Sequence, residues 1–118
     1  VRTFGDAVAA ARDLCERGVG TVLLSLGVDG ALLVTGDAVH YGDSEPVTVR
    51  STVGAGDALL AGFLSAGASG PQALVTGLTW ATAACMLPGS TMPGPDDLDP
   101  SIIRLHDGYT PDRPLKGD

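Results

Sequence analysis

The apolar positions of this chain change period along its length, and each change predicts an element. In "TFGDAVAAARDLCERG" the apolar residues Val8, Ala11, Leu14 and Cys15 recur at three- and four-residue spacing, Thr3 and Asp6 stand at capping-box distance, and Gly18 supplies a stop. That pattern predicts an amphipathic helix. "TVLLSLG", residues 21–27, is a short apolar run bounded by glycines, the pattern of a strand buried on both faces of a parallel sheet. "ALLV" and "AVHY" flank Thr35-Gly36-Asp37 as the arms of a hairpin, and "PVTVR" predicts a further short strand. After Gly54-Ala55-Gly56 the chain runs straight into the apolar, helix-forming "DALLAGFLSAG". "SGPQALVTGLTWATAACML" predicts a long helix, with Ser69 and Gln72 at capping-box spacing and Leu74, Leu78, Ala81 and Cys85 on one face. "DPSIIRLH" starts with a capping Asp99 and Pro100 at the first helical position, predicting a last short helix. From Tyr109 the sequence turns polar and proline-rich, so residues 109–118 are expected to form a flexible tail on a unit spanning 1–108. No internal repeat is present.

Composition narrows the class. A chain of 118 residues with 44% hydrophobic content supports one domain with a real core. Seventeen glycines and five aromatic residues favour tight turns and small-residue packing, as in α/β enzymes. The net charge of −7 would repel a polyanion over most of the surface, which argues against a nucleic-acid partner. Cys15 and Cys85 lie far apart inside apolar helical patterns, where buried thiols in a reducing compartment fit better than a disulfide or a metal site. A cytoplasmic location is therefore expected. No apolar run reaches the ~20 residues that span a bilayer, so no membrane partner is expected. The chain opens on Val1 within a helix-start signal, the appearance of a fragment of a longer protein.

The informative stretch is "RSTVGAGDALLAGFLSAG". It follows a predicted strand and opens a predicted helix, so the amides of Ala55, Gly56 and Asp57 fall at a helix N-terminus, where unpaired N–H groups and the helix dipole favour an anion. Glycine at 54 and 56 permits a sharp turn and close backbone approach. Asp57 is the odd element: a carboxylate beside bound anionic oxygens is repelled, but a base that takes a proton from an attacking hydroxyl has to stand there. The competing account makes Asp57 a plain helix cap after an ordinary glycine turn. No Gly-Lys-Ser/Thr follows, and Leu59 stands where a dinucleotide fingerprint needs its third glycine, so neither of those phosphate motifs applies.

"STVGAGDALLAGFLSA" closely resembles the second signature of the PfkB (ribokinase-like) family of carbohydrate kinases. "VGTVLLSLGVDGALLV" resembles that family's preceding strand, glycine turn and hairpin, and "GLTWATAACMLPGS" the helix and glycine loop that follow. The resemblance covers nearly the whole chain as the C-terminal portion of a family member. It implies an α/β, ribokinase-like fold with a mainly parallel sheet, flanking helices and a small β-hairpin.

It further implies that Asp57 deprotonates a sugar hydroxyl while the amides around Gly54, Ala55 and Gly56 form an anion hole for the transferring phosphoryl group. Gly56 and Asp57 would also border the nucleotide. Ser25, Gly27, Asp29 and Gly30 would lie along the ATP phosphates and ribose, although a plain strand-end turn explains each glycine separately; Leu78 and Thr82 would help wall the adenine pocket, where simple helix packing is the competing account. Mg²⁺ is implied with ATP, with no carboxylate pair marking its ligands. A monovalent cation, bound by some members through backbone carbonyls, would fall near Ser51, Val53 and Gly89. The wording of the signature is most similar to the branch that phosphorylates fructose 1-phosphate at its 6-hydroxyl, with tagatose 6-phosphate the near alternative substrate and a homodimer compatible with the longer protein. The isolated chain is expected to be inactive, because the sugar-binding part lies mainly upstream. A truncated module that only binds a nucleotide or phosphate is the alternative of another class. His40, His106 and the acidic "PDDLD" lack ligand spacing and are expected to be solvated or locally bonded. Trp80, amid small residues, is expected in the core.

Overall fold

A computed structural model describes residues 2–89 and 91–116. Helix α1 spans Phe4–Glu16, and it starts as its capping box dictates: the Asp6 amide donates to Thr3 Oγ1 at 3.1 Å and the Thr3 amide to the Asp6 carboxylate at 3.1 Å. Four strands follow the order β1 (Thr21–Ser25), β2 (Ala31–Thr35), β3 (Val39–Ser44) and β4 (Ile103–His106), each antiparallel to its neighbour. Helices α2 (Ala55–Ser65) and α3 (Gly70–Cys85) lie between β3 and β4 in sequence.

The period-two alternation of β2 builds both sides of the molecule. Leu32 and Val34 join Phe4, Val8 and Ala11 in a core under α1, while Ala31 and Leu33 join Leu59, Phe63, Leu74 and Leu78 under α2 and α3. The result is a three-layer helix–sheet–helix arrangement. All four residues 31–34 are buried, so the double burial expected of residues 21–27 belongs to β2. Strand β1 pairs only with β2 among the described residues, and its end residues Thr21 and Ser25 are exposed. Every pairing among these four strands is antiparallel, and the outer edge of β1 pairs with no strand among the described residues.

Helices α2 and α3 cross at Gly62 and Gly77. A Cβ on Gly62 would stand 2.8 Å from the Thr76 carbonyl oxygen, and one on Gly77 would stand 2.8 Å from that of Leu59, so the two backbones touch where no side chain fits. Trp80 packs its ring beside Gly62 and remains half-buried.

Four local expectations are corrected. "PVTVR" is not a strand: Pro46 has no amide to donate, and the edge of β3 is taken by β4, with the Glu45 amide donating to the Ile102 carbonyl at 2.8 Å. "DPSIIRLH" keeps its cap, Asp99 accepting from the Ser101 amide at 3.1 Å, but the helical turn stops at Ile102 and Ile103–His106 become β4, where the β-branched and apolar residues find an open strand edge. His106 is accordingly a strand residue, stacked on Tyr41 at 4.8 Å and 2.8 Å from Asp43, whose carboxylate also accepts from Arg104 at 3.0 Å. Ser69 precedes α3 in extended conformation and caps no amide with its side chain. Residues 109–116, in place of standing free, run back along the start of α1, with Tyr109 and Leu115 packed on the core beneath it. The last two positions of the expected tail, 117 and 118, lie outside the described residues.

Candidate functional site

The signature turn is held from behind and open in front. The Arg50 and Ser51 amides both donate to the Cys85 carbonyl, at 2.7 and 3.2 Å, which ties the approach to α2 onto the end of α3. Ser51 Oγ accepts from the Val53 amide at 3.1 Å, a local turn that steers the chain into Gly54. Gly54 is the residue before the helix and has φ +84°, a left-handed conformation in which glycine carries no Cβ penalty. Gly56 differs: its chain neighbours and its own helix backbone apart, a Cβ placed there would meet no atom of the described residues within 4 Å. The backbone itself therefore favours glycine at 54, while nothing among the described residues demands it at 56.

The amides of the turn divide in the same way. The Ala55 amide, expected to be open to an anion with those of its neighbours, instead donates to the Thr52 carbonyl at 3.2 Å, the turn closing on itself before the helix, and Ala58 donates to Gly54 at 2.9 Å. Gly56 and Asp57 make no such bond among the described residues, so the two free N–H groups of the first turn are theirs. Asp57 sits at the third helical position, not at the cap, is exposed, and its carboxylate has no hydrogen-bond or ion-pair partner among the described residues. Behind it Ala58, Leu59, Gly62 and Phe63 face the core and fix the helix axis. The arrangement can receive an anion on two amides at the positive end of a helix, with an unencumbered carboxylate one side chain away.

The glycine turn after β1 is built differently. Ser25 and Gly27 are exposed, Gly30 adopts φ +104° against the Gly42 carbonyl, and the Leu26 amide donates to the Gly30 carbonyl at 2.8 Å. The Asp29 side chain points inward: it is fully buried, with Oδ1 3.4 Å from the Arg113 guanidinium and Oδ2 accepting from the Lys116 amide at 2.7 Å. The Tyr41 hydroxyl donates to the Asp29 carbonyl at 2.6 Å. Burial, and next the Asp43 charge, raise the Tyr41 phenol above its ordinary value, so it stays a donor at neutral pH.

Leu78 belongs to the core below α2 and α3, its side chain against Gly42, and Thr82 is buried on the same helix. Burial also raises the Cys85 thiol. Among the described residues no three His, Cys, Asp or Glu side chains gather as a metal cage. A cleft of about 300 Å³ lined by Arg12, Cys15, Glu16, Thr35 and Gly36 lies at the end of α1 and contains none of the site residues that the family resemblance implies. The contacts of Asp29 with Arg113 and Lys116 were not legible in the sequence, because pairs 84 and 87 residues apart leave no local spacing signal.

The three-layer fold, with its glycine turn after β1 and its signature turn before α2, is that of the ribokinase-like sugar kinases. The ribokinase structure from Thermotoga maritima superposes with a TM-score of 0.69 at 28% identity, over 76% of this chain and 32% of that one. Phosphofructokinase-2 from Escherichia coli, solved in complex with potassium, superposes with a TM-score of 0.73 at 31% identity, over 80% of this chain and 32% of that one. Residues 3–91 match the pfkB family carbohydrate kinase, and the chain belongs to that family. The 1-phosphofructokinase of Haloferax volcanii is 46% identical over 101 residues, 83% of this chain and 33% of that protein. The chain thus spans about a third of the length of the curated relatives it matches.

Proposed function

We propose that this chain is the nucleotide-side portion of an ATP-dependent sugar-phosphate kinase, with Asp57 as the general base and the free amides of the α2 turn as the anion hole. The observation that carries the reading is Asp57 itself: an exposed carboxylate without a partner among the described residues, three residues into a helix whose cap is already Gly54, beside two unpaired amides. A capping role would need Asp57 at the helix boundary, and Gly54 holds that place.

ATP, when bound, supplies the phosphoryl group that is transferred. Gly56 and Asp57 N–H groups receive developing negative charge, Gly54 sets the turn that aims them, and the Asp57 carboxylate accepts the proton of the attacking sugar hydroxyl. Ser25 and Gly27, on the exposed face of their turn, line the nucleotide side together with the half-buried Gly30. Mg²⁺ would arrive on the nucleotide phosphates, and a monovalent cation would take carbonyl oxygens near Ser51, Val53 and Gly89.

The substrate we favour is fructose 1-phosphate, phosphorylated to fructose 1,6-bisphosphate, on the strength of the 46% identity to the Haloferax 1-phosphofructokinase. Tagatose 6-phosphate is the alternative. We place the protein in the cytoplasm, as a homodimer in its longer form. The test is to put this chain in place of the third of the Haloferax enzyme that it matches and assay ATP-dependent phosphorylation of fructose 1-phosphate. Turnover that disappears with Asp57→Asn while the fold is kept supports the reading; a folded, ATP-binding chimera with no turnover points to a module that only binds.

A further inference from the structure

The segment Tyr109–Lys116 makes an unusual number of backbone commitments for a polar, proline-rich stretch. The Phe4 and Gly5 amides, among the first N–H groups of α1, donate to the Arg113 carbonyl at 3.0 Å and the Pro111 carbonyl at 2.8 Å. The Leu115 amide donates to the Arg2 carbonyl at 2.8 Å, and Thr3 bridges to Pro114. The Arg113 guanidinium lies over the Phe4 ring at 4.8 Å. The segment also bonds one side chain of another element, Asp29 in the turn after β1.

Asp29 is a buried carboxylate that the proposed chemistry does not use. A buried charge is tolerated only when it is paired and hydrogen-bonded, and among the described residues both partners of its carboxylate come from this segment, Arg113 and the Lys116 amide. The same turn is gripped on its backbone by Tyr41. Its opposite face is bare: Ser25 and Gly27 are exposed, and Val28 is 68% exposed. The turn is thus fixed from inside and free outside, the arrangement needed where backbone groups must be presented to a ligand in one geometry.

We propose that Tyr109–Lys116 is a strap that presets the turn Gly27–Gly30 for nucleotide binding, with Arg113 and Asp29 as positioning residues that act through the turn and never touch the nucleotide. The inference rests on reading that turn as the nucleotide side. It assigns the Asp29 carboxylate to the strap, not to the ribose or phosphates.

The test uses the 118-residue chain with Mg-ATP as the probe and two readouts, ATP affinity by calorimetry and amide hydrogen exchange. In Arg113→Ala the Leu26, Asp29 and Gly30 amides should exchange faster, α3 amides should be unchanged, and the Kd for Mg-ATP should rise about tenfold, the effect of losing one charge-assisted hydrogen bond. Asp29→Asn should act in the same direction. Arg113→Lys keeps the charge but loses the planar fork, so its Kd should rise by about threefold at most. Faster exchange at the turn with unchanged affinity would make the strap a scaffold only and overturn the proposal, as would unchanged exchange. If Arg113→Ala loosens α3 as well, Asp29→Asn and Arg113→Lys decide: an Asp29→Asn affinity equal to that of the parent overturns it. Failure of the unsubstituted chain to bind Mg-ATP would overturn the nucleotide reading and the strap's purpose together, and it is visible before any variant is made.

Discussion

The two glycine turns of this protein carry the same residue types, two glycines and an aspartate, and treat the aspartate in opposite ways. At Gly54–Asp57 the carboxylate is exposed and unpartnered among the described residues, and two amides are left open. At Gly27–Gly30 the carboxylate is buried and bonded to a segment more than 80 residues away. An acid that must exchange a proton with a ligand needs a free lone pair and access; an acid that holds a backbone in place needs neither. The difference teaches that residue type and glycine spacing mark a turn as suited to a ligand, while the partners of the acid decide whether it reacts or supports.

That contrast predicts opposite signatures for the two aspartates, and the sharpest concerns activity. In the chimeric kinase Asp57→Asn should lower turnover by ~10²–10⁴-fold, because Asn cannot accept the hydroxyl proton. Its melting temperature should stay close to that of the parent, since the carboxylate has no partner among the described residues to lose and forgoes only its attraction to the start of α2. Turnover within a few-fold of the parent in a folded protein would remove Asp57 from the chemistry.

The reverse is expected at the other turn. Asp29→Ala should destabilise the chain by about 1–3 kcal/mol, the cost of stranding the Lys116 amide and the Arg113 guanidinium. Urea unfolding of the two alanine variants side by side is the measurement. Equal stabilities for Asp29→Ala and Asp57→Ala would erase the distinction.

A third, smaller effect separates the glycines of the signature. Gly54→Ala places a Cβ at φ +84° and should cost about 1 kcal/mol of stability. Gly56→Ala meets open space and should be neutral or slightly stabilising to the fold, while weakening phosphoryl transfer if a phosphate approaches that backbone. Unfolding midpoints and turnover of the pair test this.

The smallest effect provides a control away from both turns. Amides of Arg2 and then Thr3 bond the Asp6 carboxylate and lower its pKa below the ordinary 3.8. A lowered folded-state pKa gives stability that is present above the unfolded value and fades as pH falls through the folded one. Asp6→Asn should therefore narrow the difference between neutral and acid unfolding midpoints below about pH 4, leaving both turns unaffected. An acid profile identical to that of the parent would show that the capping box contributes nothing.

Much of the molecule was written in local pattern. Helix α1 with its Thr3–Asp6 box, the hairpin around Thr35–Asp37, the long α3 and the signature turn all follow from spacing over a few residues, because caps and amphipathic faces are short-range devices. Tertiary structure decided the rest. Which strand is buried on both faces depends on where the helices land, and β2, not β1, is the one with all of its core residues shared between α1 on one side and α2 and α3 on the other. Whether Ile103–His106 becomes helix or strand depends on the open edge of β3, a partner some 60 residues away. Whether Asp29 faces a ligand or the interior depends on where Arg113 and Lys116 arrive. Neighbouring residues set local preference, but a hydrogen bond between distant residues exists only once the chain has closed the loop between them, and no nearby residue records that it will.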